Sequence, residues 1–264
     1  MHFDYATYMN ILQILVLAAI LAYFIVKKYA YQGMDSVFYI AGITAFLVSD
    51  VYWLTHLIMH EGETPWFSSA EFSDAGVLLL LGAVLVARVK ENGLVMEKTV
   101  PEIIFGGIFA AANTAFWIGW TGAWVKDILS GVSIAYYFIV AVLCMKLSGV
   151  FPALIRRIFY AVCIVLLIFE AGTLVLHGQL NTICEILRNI IWFSGVCLFF
   201  GRTILSLARR ESSFITMSAA FTGNCWVFFA LYLSTGVLYE IFDILMTCSL
   251  ALTFFAVCKE VKSR

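Results

Sequence analysis

RIFYAVCIVLLIFEAGTLVLHGQLNTICEILRNIIWFSGVCLFFGRTILS, residues 157–206, decides the fold. Two apolar runs, 157–176 and 182–206, flank a five-residue break, and each carries one strongly polar residue in its interior, Glu170 or Arg188. About 20 apolar residues in a helix cross the hydrocarbon core of a bilayer. The stretch therefore reads as a membrane hairpin with an acid and a base inside it.

The same pattern extends over the whole chain. Of 264 residues, 63% are hydrophobic and 12% charged, with a mean hydropathy of +0.97. Soluble domains are roughly half apolar and about a quarter charged, so a water-soluble domain is excluded. Nine apolar runs are predicted spans: about 8–26, 37–59, 74–89, 101–123, 127–146, 157–176, 182–206, 213–233 and 237–258. The third is short, and its helix is expected to begin between Ser68 and Asp74. Loops between spans 1/2, 3/4, 5/6 and 7/8, with the C-terminal segment, hold 14 of the 16 basic residues; only Lys126 and Arg188 fall elsewhere. That alternation obeys the positive-inside rule and predicts an N-out, C-in orientation. The start, Met-His-Phe-Asp-Tyr, lacks the basic flank of a cleavable signal, so the first span is expected to be retained.

The fold class is thus an all-α polytopic bundle forming a single transmembrane domain over 1–264. One leading helix precedes four hairpins, 37–90, 101–146, 157–207 and 213–258, which are read as a possible repeat. Pro101 and Pro152 stand at or before span starts, where a missing N–H costs little. Trp53, Trp66, Trp117, Trp120, Trp124 and Trp226 lie toward the outer half, as an interfacial belt would. Gly106 and Gly107 are expected to permit close helix approach. The seven cysteines read as small buried hydrophobes rather than a disulfide framework.

Each hairpin carries a polar residue inside its first span: Asp50, Asn113, Glu170 and Asn224. Each returning span opens on acids: Glu71 and Asp74, Asp127, Glu185, then Glu240 and Asp243. A charge exposed to lipid near mid-bilayer costs at least ~2.5 kcal/mol. The pattern therefore predicts one shared polar region in the outer half. Its candidate ligand-binding residues are Asp50, Asp74, Asn113, Glu170, Glu185, Arg188, Asn224 and Asp243. Structural roles compete with that reading. Asp127 and Glu71 suit helix N-termini, Asn113 and Asn224 suit interhelical hydrogen bonds, and Glu170 with Arg188 suits an ion pair.

No Gly-x-Ser-x-Gly elbow, His-Glu-x-x-His pair or phosphate-binding glycine loop occurs. No span holds a lysine near its middle, which excludes a retinal Schiff base. His56 and His60 are one helical turn apart and form a weak metal candidate; no cofactor is expected. No basic patch offers a nucleic-acid surface. The partners expected are the bilayer, a small or lipidic ligand and a separate signalling protein.

Residues 47–82, LVSDVYWLTHLIMHEGETPWFSSAEFSDAGVLLLLG, resemble the membrane-embedded input regions of bacterial histidine kinases and diguanylate cyclases. The matching positions are Asp50, Trp53, Pro65, Ser69 and Asp74. The resemblance implies a sensor-type module in a bacterial cytoplasmic membrane. With no output domain after Arg264, it would signal through a separate partner. Two alternatives use the same acids. One is a proton- or cation-coupled transporter. The other is a carboxylate-based intramembrane lipid hydrolase, similar to the small multi-span lysoplasmalogenases but with one more span, in which Asp50 and Glu170 would share a proton.

Overall fold

The computed structural model describes residues 5–29, 32–59, 69–94 and 100–262. Among these residues run nine α-helices and no strand. They are α1 (Tyr5–Val26), α2 (Met34–Met59), α3 (Ser69–Glu91), α4 (Val100–Thr121), α5 (Trp124–Leu147), α6 (Ala153–Val175), α7 (Gln179–Ala208), α8 (Ser213–Tyr232) and α9 (Val237–Lys262). All nine are long and apolar enough to cross a membrane. The chain is a multi-span helical membrane bundle. The third helix starts at Ser69, inside the segment expected. Others outrun their apolar cores: α7, with 30 residues, measures about 45 Å at 1.5 Å per residue, beyond the ~30 Å hydrocarbon thickness.

Local chemistry sets the turns. Ser212 caps α8, its hydroxyl accepting from the Ile215 N–H at 3.3 Å. Gly178, at φ 65°, makes the reversal into α7 in a backbone region that L side chains rarely adopt. Described basic helix ends meet at one face, where Arg88 of α3 pairs with Asp35 and Glu260, Lys146 with Glu102, and Lys259 reaches the Ser206 carbonyl; this is the basic face, and the opposite one is the far face.

The two helices of each hairpin pack against one another. Around the bundle the order is α1, α2, α3, α5, α4, α6, α7, α9, with α9 returning to α1. α8 fills the interior against α3, α5, α7 and α9. Phe214 and every residue from 216 to 230 are buried, as an all-round apolar helix requires. At the perimeter, α6 buries only Phe159, Cys163, Leu166 and Glu170. The spacing of 4, 3 and 4 is a single helical stripe, and Glu170 ends it. The facing stripe on α7 begins with Arg188 and runs through Trp192, Val196 and Phe199.

Several local expectations fail for packing reasons. Trp117 and Trp226 are core residues, each 1% exposed, rather than members of an interfacial belt. Trp117 stacks on Tyr232 at 4.8 Å and Trp226 lies 4.6 Å from Trp192. Gly195 makes room for the Trp226 indole, whose N–H donates to the Trp192 carbonyl at 3.0 Å. Trp120 and Trp124 are exposed as a belt would be; Trp66 lies outside the described residues. Gly106 does admit Ile139 of α5, whereas a Cβ on Gly107 would meet open space. Cys197 and Cys248 are exposed rather than buried, because their positions on α7 and α9 fall off the buried stripes.

Candidate functional site

Three helices, α2, α3 and α9, each carry an ionisable residue toward both ends. At the basic face these are Asp35, Arg88 and Glu260; toward the far face they are Asp50, Asp74 and Asp243. On α2 the buried residues Asp35, Tyr39, Ile43, Phe46 and Asp50 recur at 4, 4, 3 and 4. One helical stripe therefore delivers an acid to each tier.

The basic-face tier is closed by a cation. Arg88, 6% exposed, pairs with Glu260 at 2.5 Å and with Asp35 at 3.8 Å. It also meets Glu91, one turn on, at 2.5 Å. Neighbouring helices follow the same rule: Lys146 of α5 meets Glu102 of α4 at 2.7 Å, and Arg202 of α7 meets Glu211 at 2.6 Å. The guanidinium of Arg202 holds the Glu211 carboxyl, in the loop after α7, below the usual carboxylate range.

The far tier is built differently. Asp50 is 4% exposed, and the groups acting on it electrostatically are two further carboxylates, Asp74 and Asp243. Its Oδ2 meets no hydrogen-bond donor. Ser49 donates to Asp74 at 2.7 Å. From α1, buried Gln13 turns its amide toward Asp243, while its Nε2 finds no acceptor in hydrogen-bond geometry. Tyr239, 48% exposed, is acted on electrostatically by all three aspartates. Asp50 and Asp243 form no ion pair with a described residue. Burying a carboxylate without a counter-charge is unfavourable, so this arrangement does not follow from packing.

A second polar group lies on the other side of α8, between α6 and α7. Glu170 is 1% exposed and Arg188 is 4% exposed. They act on each other electrostatically but form no ion pair within 4.0 Å. Both Glu170 oxygens and Arg188 Nε lack hydrogen-bond partners. Glu185, one turn before Arg188, acts on it and accepts from Asn181 at 3.3 Å.

The candidate residues thus separate. Asp74 and Asp243 act electrostatically on Asp50, and Glu170 and Glu185 act on Arg188; neither set acts on the other. The single shared region expected from sequence is replaced by two. Asp50 and Glu170 have different neighbours, because α2 packs on α1 and α3 whereas α6 packs on α4 and α7. Asn224 ties three helices, accepting from Tyr137 of α5 at 3.0 Å and donating to Met246 Sδ of α9 at 3.6 Å. Asn113 donates to Phe109 of its own helix at 2.9 Å, rather than across helices. Asp127 accepts from Thr121 at 2.5 Å and staples the α4–α5 turn. The Glu71 side chain lies outside the described residues.

His56 stacks on Tyr52 at 6.2 Å and meets Trp53 edge-on; His60 lies outside the described residues. Among the described residues no three His, Cys, Asp or Glu side chains converge closely enough to hold a metal ion. Sequence reading missed Asp35, Arg88 and Glu260 as one network, and it missed Gln13. The available signals were the stripe joining Asp35 to Asp50 and an amide in the otherwise apolar first span. A scan against protein-family models and searches of the curated proteins and the solved structures found no match.

Proposed function

We propose that the protein is a non-enzymatic membrane module of the sensor or receptor type. It binds a small or lipidic ligand through polar groups buried in the half of the bundle away from the basic loops. By the positive-inside rule that half faces outward. The observation that carries this reading is the contrast at the two ends of α2. Asp35 is met by Arg88 at 3.8 Å, whereas Asp50, equally enclosed, is met only by other acids. Glu170, with two unpartnered oxygens, lies between α6 and α7 near Arg188 without forming an ion pair with it. Groups held at such cost are functional by default in a membrane. The resemblance of residues 47–82 to sensor input regions supports the same reading, with occupancy passed to a separate partner.

The alternatives are less well supported. Transporter sites are built on broken helices whose ends face the substrate, whereas the described helices run continuously. A carboxylate hydrolase needs its acid and base at one site, and Asp50 and Glu170 have no common neighbour.

Native mass spectrometry of the protein in nanodiscs tests the proposal. The wild type is expected to retain a bound small molecule or lipid that folded Asp50→Asn or Glu170→Gln protein loses. Ligand-free wild type, or substrate turnover abolished by either variant, would overturn it.

A further inference from the structure

The cations at the basic face divide into two kinds. Arg88, Lys146 and Arg202 each meet an acid, and those pairs belong to the fold. Arg210, Lys259 and Lys262 form no ion pair with a described residue, and they line one groove of about 450 Å³ between the C-terminal ends of α7 and α9. The rest of its lining is uncharged: Leu207, Phe255 and Cys258. We infer that this groove binds the headgroup phosphate of an anionic phospholipid, whose acyl chains lie against the lipid-facing sides of α7 and α9. The site is separate from the far-half groups assigned to the ligand above and stands whether or not that reading does.

Local structure holds the cations there. Arg210 stands just past α7 in the left-handed conformation, φ 53°, at a position that glycine usually fills. Its N–H donates to the Leu207 carbonyl at 3.3 Å and the Glu211 N–H to the Ser206 carbonyl at 3.1 Å, so the helix end keeps a charged side chain where the backbone disfavours one. Lys259 Nζ donates to the Ser206 carbonyl at 3.2 Å and to Thr216 Oγ1 at 3.1 Å. An ammonium has three donors, and these two contacts leave the third for a phosphate oxygen. Lys262 follows Lys259 by three residues, on the same side of α9. The neighbouring acids are committed elsewhere. Glu211, which acts on Lys259 electrostatically, pairs with Arg202 at 2.6 Å, and Glu260 pairs with Arg88 at 2.5 Å. Deeper along the groove the walls suit hydrocarbon. Phe255 is 54% exposed, and Ile204, one turn deeper than Leu207 on the same side of α7, is 55% exposed. Cations above and bare apolar flanks below match an acidic lipid of the leaflet that the basic face meets. By the positive-inside rule that leaflet is the cytoplasmic, anionic one. A soluble anion would use the cations and leave the flanks idle.

The test is native mass spectrometry of the full chain released from nanodiscs of phosphatidylcholine and phosphatidylglycerol in equal parts. Wild type is expected to retain phosphatidylglycerol in preference to phosphatidylcholine. Arg210→Gly removes a cation and relieves the left-handed backbone, and Lys262→Gln removes a cation alone. Each is expected to lower the preference about fivefold, near the value of one cation at an anionic surface, and the double variant by more than about tenfold; the single variants are both measured in case one fails to fold. Arg157→Gln, an exposed cation of α6 outside the groove, and Asp50→Asn, in the far half, are expected to keep the preference. No preference in wild type, an equal fall in Arg157→Gln, or an undiminished preference in the double variant would overturn the inference. A rise in Tm with inorganic phosphate in phosphatidylcholine discs as large as that with phosphatidylglycerol would also overturn it, in favour of a free anion.

Discussion

The two ends of α2, α3 and α9 show what a membrane bundle does with buried charge. At the basic face Arg88 draws Asp35 and Glu260 into one network, and the three helices are tied by it. Some 15 residues away, about four turns, the same helices bring Asp50, Asp74 and Asp243 together with nothing cationic acting on Asp50. One tier stabilises the fold. The other is a cost that the fold must carry, and the difference says more than burial does, since Asp35 and Asp50 are both buried.

The largest expected effect comes from breaking the paired tier. Arg88→Met leaves Asp35 and Glu260 enclosed without their counter-charge, which should cost about 3–5 kcal/mol. The folded fraction after unfolding in mixed micelles should fall accordingly. At the far tier the sign reverses. Asp50→Asn removes a buried carboxyl that has no counter-charge, so ligand-free protein should keep its stability or gain up to about 2 kcal/mol in the same assay. A loss as large as that of Arg88→Met would erase the contrast.

Glu170→Leu sharpens the comparison between the far-half clusters. Breaking a direct buried ion pair would cost about 3–5 kcal/mol. Glu170 and Arg188 are not in direct contact, and Glu185 still acts on Arg188, so the expected loss is smaller than that, read from the same unfolding curves. The smallest effect belongs to Glu211, partly exposed beside Arg202. Its folded carboxyl titrates below the usual range, so its contribution is fully present above the unfolded carboxylate pKa. That contribution is lost as pH falls through the lowered folded value. The amplitude should be under about 1 kcal/mol, and Glu211→Gln should flatten that part of the acid stability profile.

The spans were legible because each depends on a quantity that the chain displays locally, apolar length, and because alternating basic loops check the count. The roles of the polar residues depend on which helices meet, and that is set by packing far apart in sequence. Arg88 illustrates this: among the basic-loop residues it reads as a topology signal, while in the bundle it is 6% exposed and binds two helices. Asn113 and Asn224 look alike as midspan amides, yet one bonds its own helix and the other links α8 to α5 and α9. Tryptophans 117 and 226 occupy depths suitable for a belt. Only the close packing of α4, α7 and α8 makes them core. Asp50 was legible as costly, and its neighbours Asp74 and Asp243 as candidates; the exclusion of Glu170 from their company was not.

The most direct test compares wild type, Asp50→Asn and Glu260→Gln by thermal unfolding in nanodiscs, with native mass spectrometry of each for the molecule it retains. Asp50→Asn should match or exceed the stability of ligand-free wild type and lose the bound molecule, while Glu260→Gln should be destabilised and keep it. Equal destabilisation of both variants, with a bound molecule kept by both or absent from wild type, would contradict the division into a structural tier and a binding tier.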